Sequence, residues 1–344
     1  MEFDVMTRAT TWDNVATLAR RTEAAGFSGM LFTEGHQVPW MNIAAAALAA
    51  PSLHFSTGIA IAFARSPMVT AEIAWELAQN TKGKFRLGLG SQVKGHITRR
   101  YGSPFDKPAP QMRDYVQAVK ACLKAFRREG PLQHDGRYYK MNLLTEQWTP
   151  PRHAFEDVKV DISAVGPIML RVAGEVADGV HVHPMHSMHY IKNRLLPGVA
   201  EGAKRAGRDA KDVDLIVPVI VAAGDTPKER MTPIEEAKTT IGFYGATPNY
   251  AFQFDDLGHT GLRDQLRDCL KTNDNARVQT LITDEILDQF AVVAKWDDVA
   301  DKMIQRYKGI ASRLVIYLAS HWREIDSKTL AQWGEVAKAV RKAR

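Results

Sequence analysis

Cysteine is scarce in this chain. Cys122 and Cys269 are the two in 344 residues, far apart and outside any CxxC spacing, which excludes a disulfide framework and CxxC redox or metal chemistry and leaves reduced, buried thiols as the expectation. Long apolar runs are missing as well. The alanine-rich stretch 43–50 is far too short to cross a bilayer, and Glu2 and Asp4 interrupt the start of the chain before any apolar stretch builds, so no membrane partner is expected and the protein is read as soluble and cytoplasmic. Nor is charge of one sign concentrated. Lys+Arg 45 against Asp+Glu 39 gives +6, scattered along the chain, which favours an anionic small-molecule ligand over nucleic acid, and no nucleic-acid motif is present. Internal repeats and low-complexity tracts are also absent.

What is present is a rhythm. Short apolar runs at 3–6, 30–33, 54–61, 85–88, 160–164, 179–182, 215–222 and 313–317 alternate with stretches that carry apolar residues at three-and-four spacing. Most runs are too short and too β-branched or aromatic for buried helices, so the alternation predicts a (β/α)8 TIM barrel with insertions. At 45% hydrophobic content the whole chain, 1–344, can form one decorated domain. A bare barrel needs about 250 residues, which leaves roughly 90 for insertions; residues 101–152, rich in proline, and about 225–296 look inserted. The first βα unit illustrates the reading: Thr11 supplies a capping residue ahead of Val15, Ala16, Leu18, Ala19 and Thr22 on one helical face, and Gly26 ends the helix. Further helices are expected at about 111–127, 296–307 and 328–341, and Asp135-Gly136 predicts a small hairpin outside the barrel.

The residues with chemistry fall just after the C-terminal ends of these runs, where barrels of this kind place their sites. Ser163-Ala164-Val165-Gly166-Pro167 runs from a strand into a helix opened by proline; Gly166 lets a ligand approach the backbone and leaves outward N–H groups suited to an anion, although an ordinary tight loop would read the same way. Gly88-Leu89-Gly90-Ser91-Gln92 resembles a dinucleotide fingerprint but has Val93 at the third glycine position and no acidic residue at the required offset. A flat ring or a phosphate lying on the backbone still suits it. In the third run Gly58 hints at a bulge or a close backbone approach. After the second run come Glu34, Gly35 and His36, then Trp40. His36 is the leading acid/base candidate because histidine titrates near neutral pH, and Trp40 offers an apolar wall or simply covers the barrel top. His181, His183, His186 and His189 lack an accompanying acidic signature, so pocket lining is favoured over a metal, and no metal site is assigned.

Taken together, Ala24-Ala25-Gly26-Phe27, His36 with Trp40, Thr57-Gly58-Ile59, Arg65-Ser66-Pro67, Arg86-Leu87-Gly88-Leu89-Gly90-Ser91-Gln92 and Ser163-Ala164-Val165-Gly166-Pro167 continuing to Ala177-Asp178-Gly179 resemble the bacterial luciferase-like superfamily, in the branch that uses coenzyme F420. The Ser163 stretch is similar to methylenetetrahydromethanopterin reductases and the His36/Trp40 placement to F420-dependent glucose-6-phosphate dehydrogenases. The resemblance implies a non-prolyl cis peptide at Gly58–Ile59 that backs the deazaflavin ring, contacts from Gly90, Ser91 and Gln92 and from Ala164, Val165 and Gly166 to its tail and phosphate, and His36 beside its reactive carbon. It also suggests homodimers.

Two departures shape the expectation. The acidic residue of the sugar-phosphate enzymes corresponds to Val93 here, and the aspartate that precedes the active-site histidine is replaced by Gly35, leaving Glu34 to share in proton handling. The expected activity is an F420-dependent oxidoreductase that transfers a hydride to or from a small organic substrate. The alternatives are an FMN-dependent monooxygenase and a cofactor-free ligand-binding or partner subunit. Lys94, His96, Arg99 and Arg100 could meet the cofactor tail, and the segment from Tyr244 to Tyr250 could form part of a lid or only pack the insertion.

Overall fold

The computed structural model describes residues 1–318 and 324–343. Eight parallel strands close into a barrel: β1 Glu2–Arg8, β2 Gly29–Thr33, β3 His54–Thr57, β4 Phe85–Gly90, β5 Lys159–Ser163, β6 Gly179–His181, β7 Asp214–Ala223 and β8 Arg313–Ile316. Closure is shown at both seams, by Leu215↔Val180 between β7 and β6 and by Phe3↔Leu314 between β1 and β8. Each expected run is a strand. The third differs in being broken, since β3 stops at Thr57 and resumes at Ala60–Ile61, with a cis Gly58–Ile59 peptide between the two pieces.

Helices α1 Trp12–Ala24, α2 Trp40–Ala49, α3 Pro67–Asn80, α4 Pro108–Phe126, α5 Pro167–Val176 and α6 Leu196–Arg205 cover the first six strands. Thr11 does occupy the N-cap position of α1, but its side chain makes no capping bond, and Gly26 follows the helix with φ +82°. Range 101–152 contains α4 and the antiparallel pair His134–Asp135 with Lys140–Met141. Range 225–296 folds into α7 Pro227–Gly245, α8 Pro248–Asp256, α9 Leu262–Thr272, α10 Asn275–Leu281 and α11 Asp284–Phe290, then a strand, Ala291–Ala294, added alongside β7. These helices surround an apolar cluster of their own, including Ile241, Phe254, Leu266 and Phe290. α12 Trp296–Tyr307 and α13 Ser327–Lys342 complete the ring. Among the described residues no helix is long and apolar enough to cross a membrane, and Cys122 and Cys269 are free and buried.

Alternation along the strands sorts side chains into an outer core facing the helices and an inner one. In β1, Phe3 and Val5 join the outer core, whereas Met6 packs inside with Leu31, Ile216 and Val315. Below that apolar layer, at the N-terminal end of the barrel, buried ion pairs fill the interior. Arg313 donates to both oxygens of Asp4 at 2.6 Å, and Arg86 bridges Asp161 (2.9 and 2.7 Å) and Asp214 (2.7 Å). The inner apolar layer therefore forms the floor of whatever sits at the C-terminal mouth.

Candidate active site

The mouth above that floor has two dissimilar walls. The first is made by β2 to β5 and is nearly free of large side chains. A Cβ on Gly58 would overlap the Leu31 side chain, which is itself fully buried, so only glycine lets the backbone lie on the floor there. A Cβ on Gly90 would stand 2.6 Å from Ile59 Cδ1 and 2.9 Å from Ser163 Oγ. The missing side chain is what allows β4 to run between those two. Where β3 is interrupted, Thr57 Oγ1 bridges to β4, donating to the Gly88 carbonyl (2.7 Å) and accepting from the Gly88 N–H (2.9 Å).

Glu34 fastens the interrupted segment from the β2 side. Its N–H donates to the Ile59 carbonyl at 3.2 Å. Its carboxylate accepts from the Ile61 N–H at 2.7 Å and from both ends of the Arg65 guanidinium at 2.9 and 2.5 Å. Arg65 also donates to the Ile61 carbonyl at 3.0 Å and lies over the Trp40 ring at 5.5 Å. Both oxygens of this buried carboxylate are thus occupied, a geometry that fixes backbone rather than one that hands over protons. Trp40 is buried as the first residue of α2, and its Nε1 has no partner among the described residues. His36 lies exposed three residues beyond the end of β2. Arg100 ties the neighbouring loop to the same place by donating to the Gly35 carbonyl at 2.6 Å.

Farther around the first wall, Ser91 and Gln92 follow β4, half-buried, with Gln92 at φ +55° and its side chain accepting from the Val93 N–H. Val93 is half-exposed. Lys94, His96, Arg99 and Arg100 lie on or just past the short helix Lys94–Arg99. After β5, Ala164 is buried, the Val165 carbonyl accepts from the Tyr190 hydroxyl at 2.9 Å, and Gly166 stands at the N-cap of α5. Gly166 brings no side chain to cap that helix, and among the described residues beyond its chain neighbours nothing lies within 4 Å of where its Cβ would be. Open space over such a helix start is a place for an anionic group.

The opposite wall is aromatic, and most of it was not singled out in the sequence as one site. Tyr317 follows β8 and packs on the floor cluster that includes Leu31. Its hydroxyl contacts that of Tyr244 from α7. His183, two residues beyond β6, stacks on Tyr250 of α8 at 3.8 Å and meets Tyr244 edge-on at 4.6 Å. Burial pushes the His183 imidazole down to about 3 and raises the Tyr317 and Tyr250 phenols, so all three stay neutral at physiological pH. His181 and His186 are buried too, both pushed down to about 4 chiefly by desolvation. His186 bonds the His183 carbonyl (2.8 Å) and the Tyr307 hydroxyl (3.0 Å), while His189 is exposed. Among the described residues no three His, Cys, Asp or Glu side chains converge as metal ligands. The signal for Tyr317 was there in the alternation, since Arg313 and Val315 both point inward and Tyr317 continues that row.

Two cavities lie beyond the first wall. One of about 870 Å3 is at the opposite, N-terminal end beside Met1, Gly26, Gly334 and Arg341. The other, about 1070 Å3, runs between α7 and α13 and is lined in part by Ile316, Tyr317 and Leu318 at the end of β8.

Comparison with known proteins fits this layout. A family model described as luciferase-like monooxygenase matches residues 1–313. The uncharacterized protein Rv1360 of Mycobacterium tuberculosis is 34% identical over 310 residues, covering 88% of this chain and 91% of that one. The 5,10-methylenetetrahydromethanopterin reductase of Methanopyrus kandleri is 24% identical over 282 residues, covering 79% and 78%. The solved structure of the coenzyme F420 dependent tetrahydromethanopterin reductase from Methanopyrus kandleri superposes with a TM-score of 0.80 at 20% identity, over 99% of this chain and 98% of that one.

Proposed function

This chain belongs to the luciferase-like monooxygenase family, and from that premise we propose that it is an oxidoreductase that binds coenzyme F420 at the barrel mouth and transfers a hydride between the deazaflavin and a small organic substrate. The observation that carries the reading is the wall nearly free of large side chains, with Gly58, Gly90 and Ala164, ending at Gly166 and the open start of α5. A flat ring with an acidic tail fits such a surface, and the relative named as a methylenetetrahydromethanopterin reductase supports the choice of deazaflavin.

In this reading Gly58 and Ile59 back the ring and Trp40 closes its edge. Gly90, Ser91, Gln92, Ala164, Val165 and Gly166 receive the tail, with Lys94 and Arg99 near enough in sequence to meet its charge. When bound, a deazaflavin supplies two-electron hydride chemistry and does not readily activate oxygen. His36, exposed at the rim, holds or releases the accompanying proton at an imidazole nitrogen. Glu34 acts through Arg65 and Ile61 as a positioning residue. The α2 face made by Met41, Ala44 and Leu48 is apolar and exposed, with Leu48 at 88%, which supports pairing of two copies.

Titrating the purified protein with F420 and with FMN, followed by fluorescence, tests the assignment. Saturable F420 binding at micromolar concentration or below, with none of FMN, is expected. FMN binding alone would replace the proposal by a flavin monooxygenase, the activity in the family's own description, and binding of neither would leave a ligand-binding or partner subunit.

A further inference from the structure

The second wall of the mouth has no part in holding a cofactor as described above, yet it is built with as much definition as the first. We propose that His183, Tyr244, Tyr250 and Tyr317 form the substrate-facing side of the site, and that the Tyr317 hydroxyl, braced by Tyr244, donates a hydrogen bond to the oxygen of a flat, conjugated carbonyl compound. The proposal rests on the cofactor reading only for the side of the mouth that the ring occupies.

Arg313 and Val315 turn inward along β8, and Tyr317 continues the same row one layer higher. It packs on the cluster containing Leu31, the side chain on which Gly58 also lies. Tyr317 and the first wall therefore face each other across one shared floor. His183 arrives by the same rule, two residues beyond the inward His181, whose Nε2 lies where a Gly88 Cβ would be.

Two phenols in contact carry two protons and need only one between them. Neither the Tyr317 nor the Tyr244 hydroxyl has a second protein partner among the described residues, so the remaining O–H is left for a third oxygen. The short reach of a phenol fixed at the end of a strand puts that oxygen close to the floor, where a substrate stacked over the ring would place a carbonyl.

His183 is held by the Met185 N–H donating to its Nδ1 at 3.2 Å, and is stacked on Tyr250 with the rings only 22° apart. Tyr244 stands edge-on to both, at 86° to His183 and 84° to Tyr250. Such a neutral, rigid surface of ring faces and edges favours another flat π-system over a puckered aliphatic ring of equal size.

Benzaldehyde and cyclohexanecarbaldehyde, alike in size and differing in flatness, are the probes. Their dissociation constants are measured by calorimetry on the protein with oxidised F420, which cannot reduce them, and the carbonyl stretch of bound benzaldehyde is followed by infrared difference spectroscopy. Benzaldehyde is expected to bind at least tenfold more tightly than its saturated counterpart, with its carbonyl stretch lowered. Tyr317→Phe should weaken benzaldehyde at least fivefold and abolish the lowered stretch, while F420 affinity and melting temperature stay at wild-type values. Equal affinity for the two aldehydes, or a lowered stretch that survives in Tyr317→Phe, overturns the proposal. Should F420 itself fail to bind, the cofactor reading falls alone, because the same two titrations on the cofactor-free protein still decide the wall. If Tyr317→Phe does not fold, Tyr244→Phe, which loosens the brace and leaves Tyr317 in place, is expected to weaken benzaldehyde two- to fivefold and to shift the stretch partway back; no change in either reverses the conclusion.

Discussion

Replacing Glu34 by glutamine keeps the shape of the side chain and removes its charge, which isolates what the clamp on the interrupted third strand contributes. In the wild-type protein the Glu34 side chain is 2% exposed and that of Arg65 15%. Taking the carboxylate away leaves a guanidinium almost enclosed with no counter-charge, and turns one of its two paired bonds into an N–H facing an N–H. Removing one partner of a buried pair costs about 3–5 kcal/mol; Arg65 retains a little access to water, so about 2–4 kcal/mol is expected. In a barrel of this size each kcal/mol lowers the melting temperature by about 2 °C, giving a drop of roughly 4–8 °C. Arg65→Met should cost a similar amount, and the double variant clearly less than the two together, with a coupling of about 2 kcal/mol. Urea unfolding of all four proteins measures the cycle. Because the Glu34 carboxylate also accepts from the Ile61 N–H, two residues past Ile59, the F420 dissociation constant of Glu34→Gln should rise about tenfold, equivalent to about 1.4 kcal/mol. Additivity to within about 0.5 kcal/mol would refute the clamp, and an unchanged F420 affinity in a destabilised variant would show that it serves the fold and not the site.

Gly166→Ala separates site from scaffold in the other direction: with φ −79° and nothing within 4 Å among the described residues beyond its chain neighbours, the methyl should leave the melting temperature unchanged and weaken F420 severalfold by standing where its tail approaches, so a variant with wild-type affinity would move the tail elsewhere. Gly58→Ala drives a methyl into the buried Leu31 side chain and should destabilise by about 1–3 kcal/mol, read by thermal unfolding; wild-type melting would contradict the close approach. Leu48→Glu places a charge on the exposed apolar face of α2 and is expected to convert a dimer to a monomer in light scattering, with no effect on F420 binding; a wild-type protein that is already monomeric removes the pairing proposal. His181 and His186 are each pushed down to about 4 by burial, below the unfolded value of about 6.5. The unfolded chain therefore binds more protons, and the stability these residues allow is complete above about pH 6.5 and lost as pH falls toward 4, with a slope of about 1.4 kcal/mol per pH unit for each histidine. Urea midpoints at pH 7.5 and 5 should show that loss, and His181→Leu should remove about half of the part due to the pair; an unchanged slope would mean His181 is not buried neutral.

The barrel was legible because its elements are specified locally. Each strand is a short run with apolar residues on the face turned to the ring of helices, and each first-wall loop begins where such a run ends. Gly58 and Gly166 stood out because a glycine within or just past a strand weakens the pairing and is kept where a backbone or a ligand comes close. What sequence could not supply was pairing in space. Glu34 reads as a free acid beside His36 until Arg65, 31 residues away, is found to occupy both of its oxygens. Thr11 has the right identity and position for a cap, yet its hydroxyl makes no capping bond.

The second wall was hidden for a different reason. Tyr244 and Tyr250 lie in the long insertion, where helix periodicity reports which face is buried but not what it is buried against, and Tyr317 lies at the far end of the chain. Only closure of the barrel brings β8 next to β1 and so sets Tyr317 over Leu31, opposite Gly58. The consequence for function is an asymmetry between the walls. Residues that would touch a cofactor come from consecutive βα loops in the first half of the barrel and carry little side chain, so backbone does the recognising. Residues that would touch a substrate come from β6, β8 and the insertion and carry rings, so side chains do it. A mouth divided in this way can hold its cofactor by conserving the shape of one half while the insertion resets what the other half accepts.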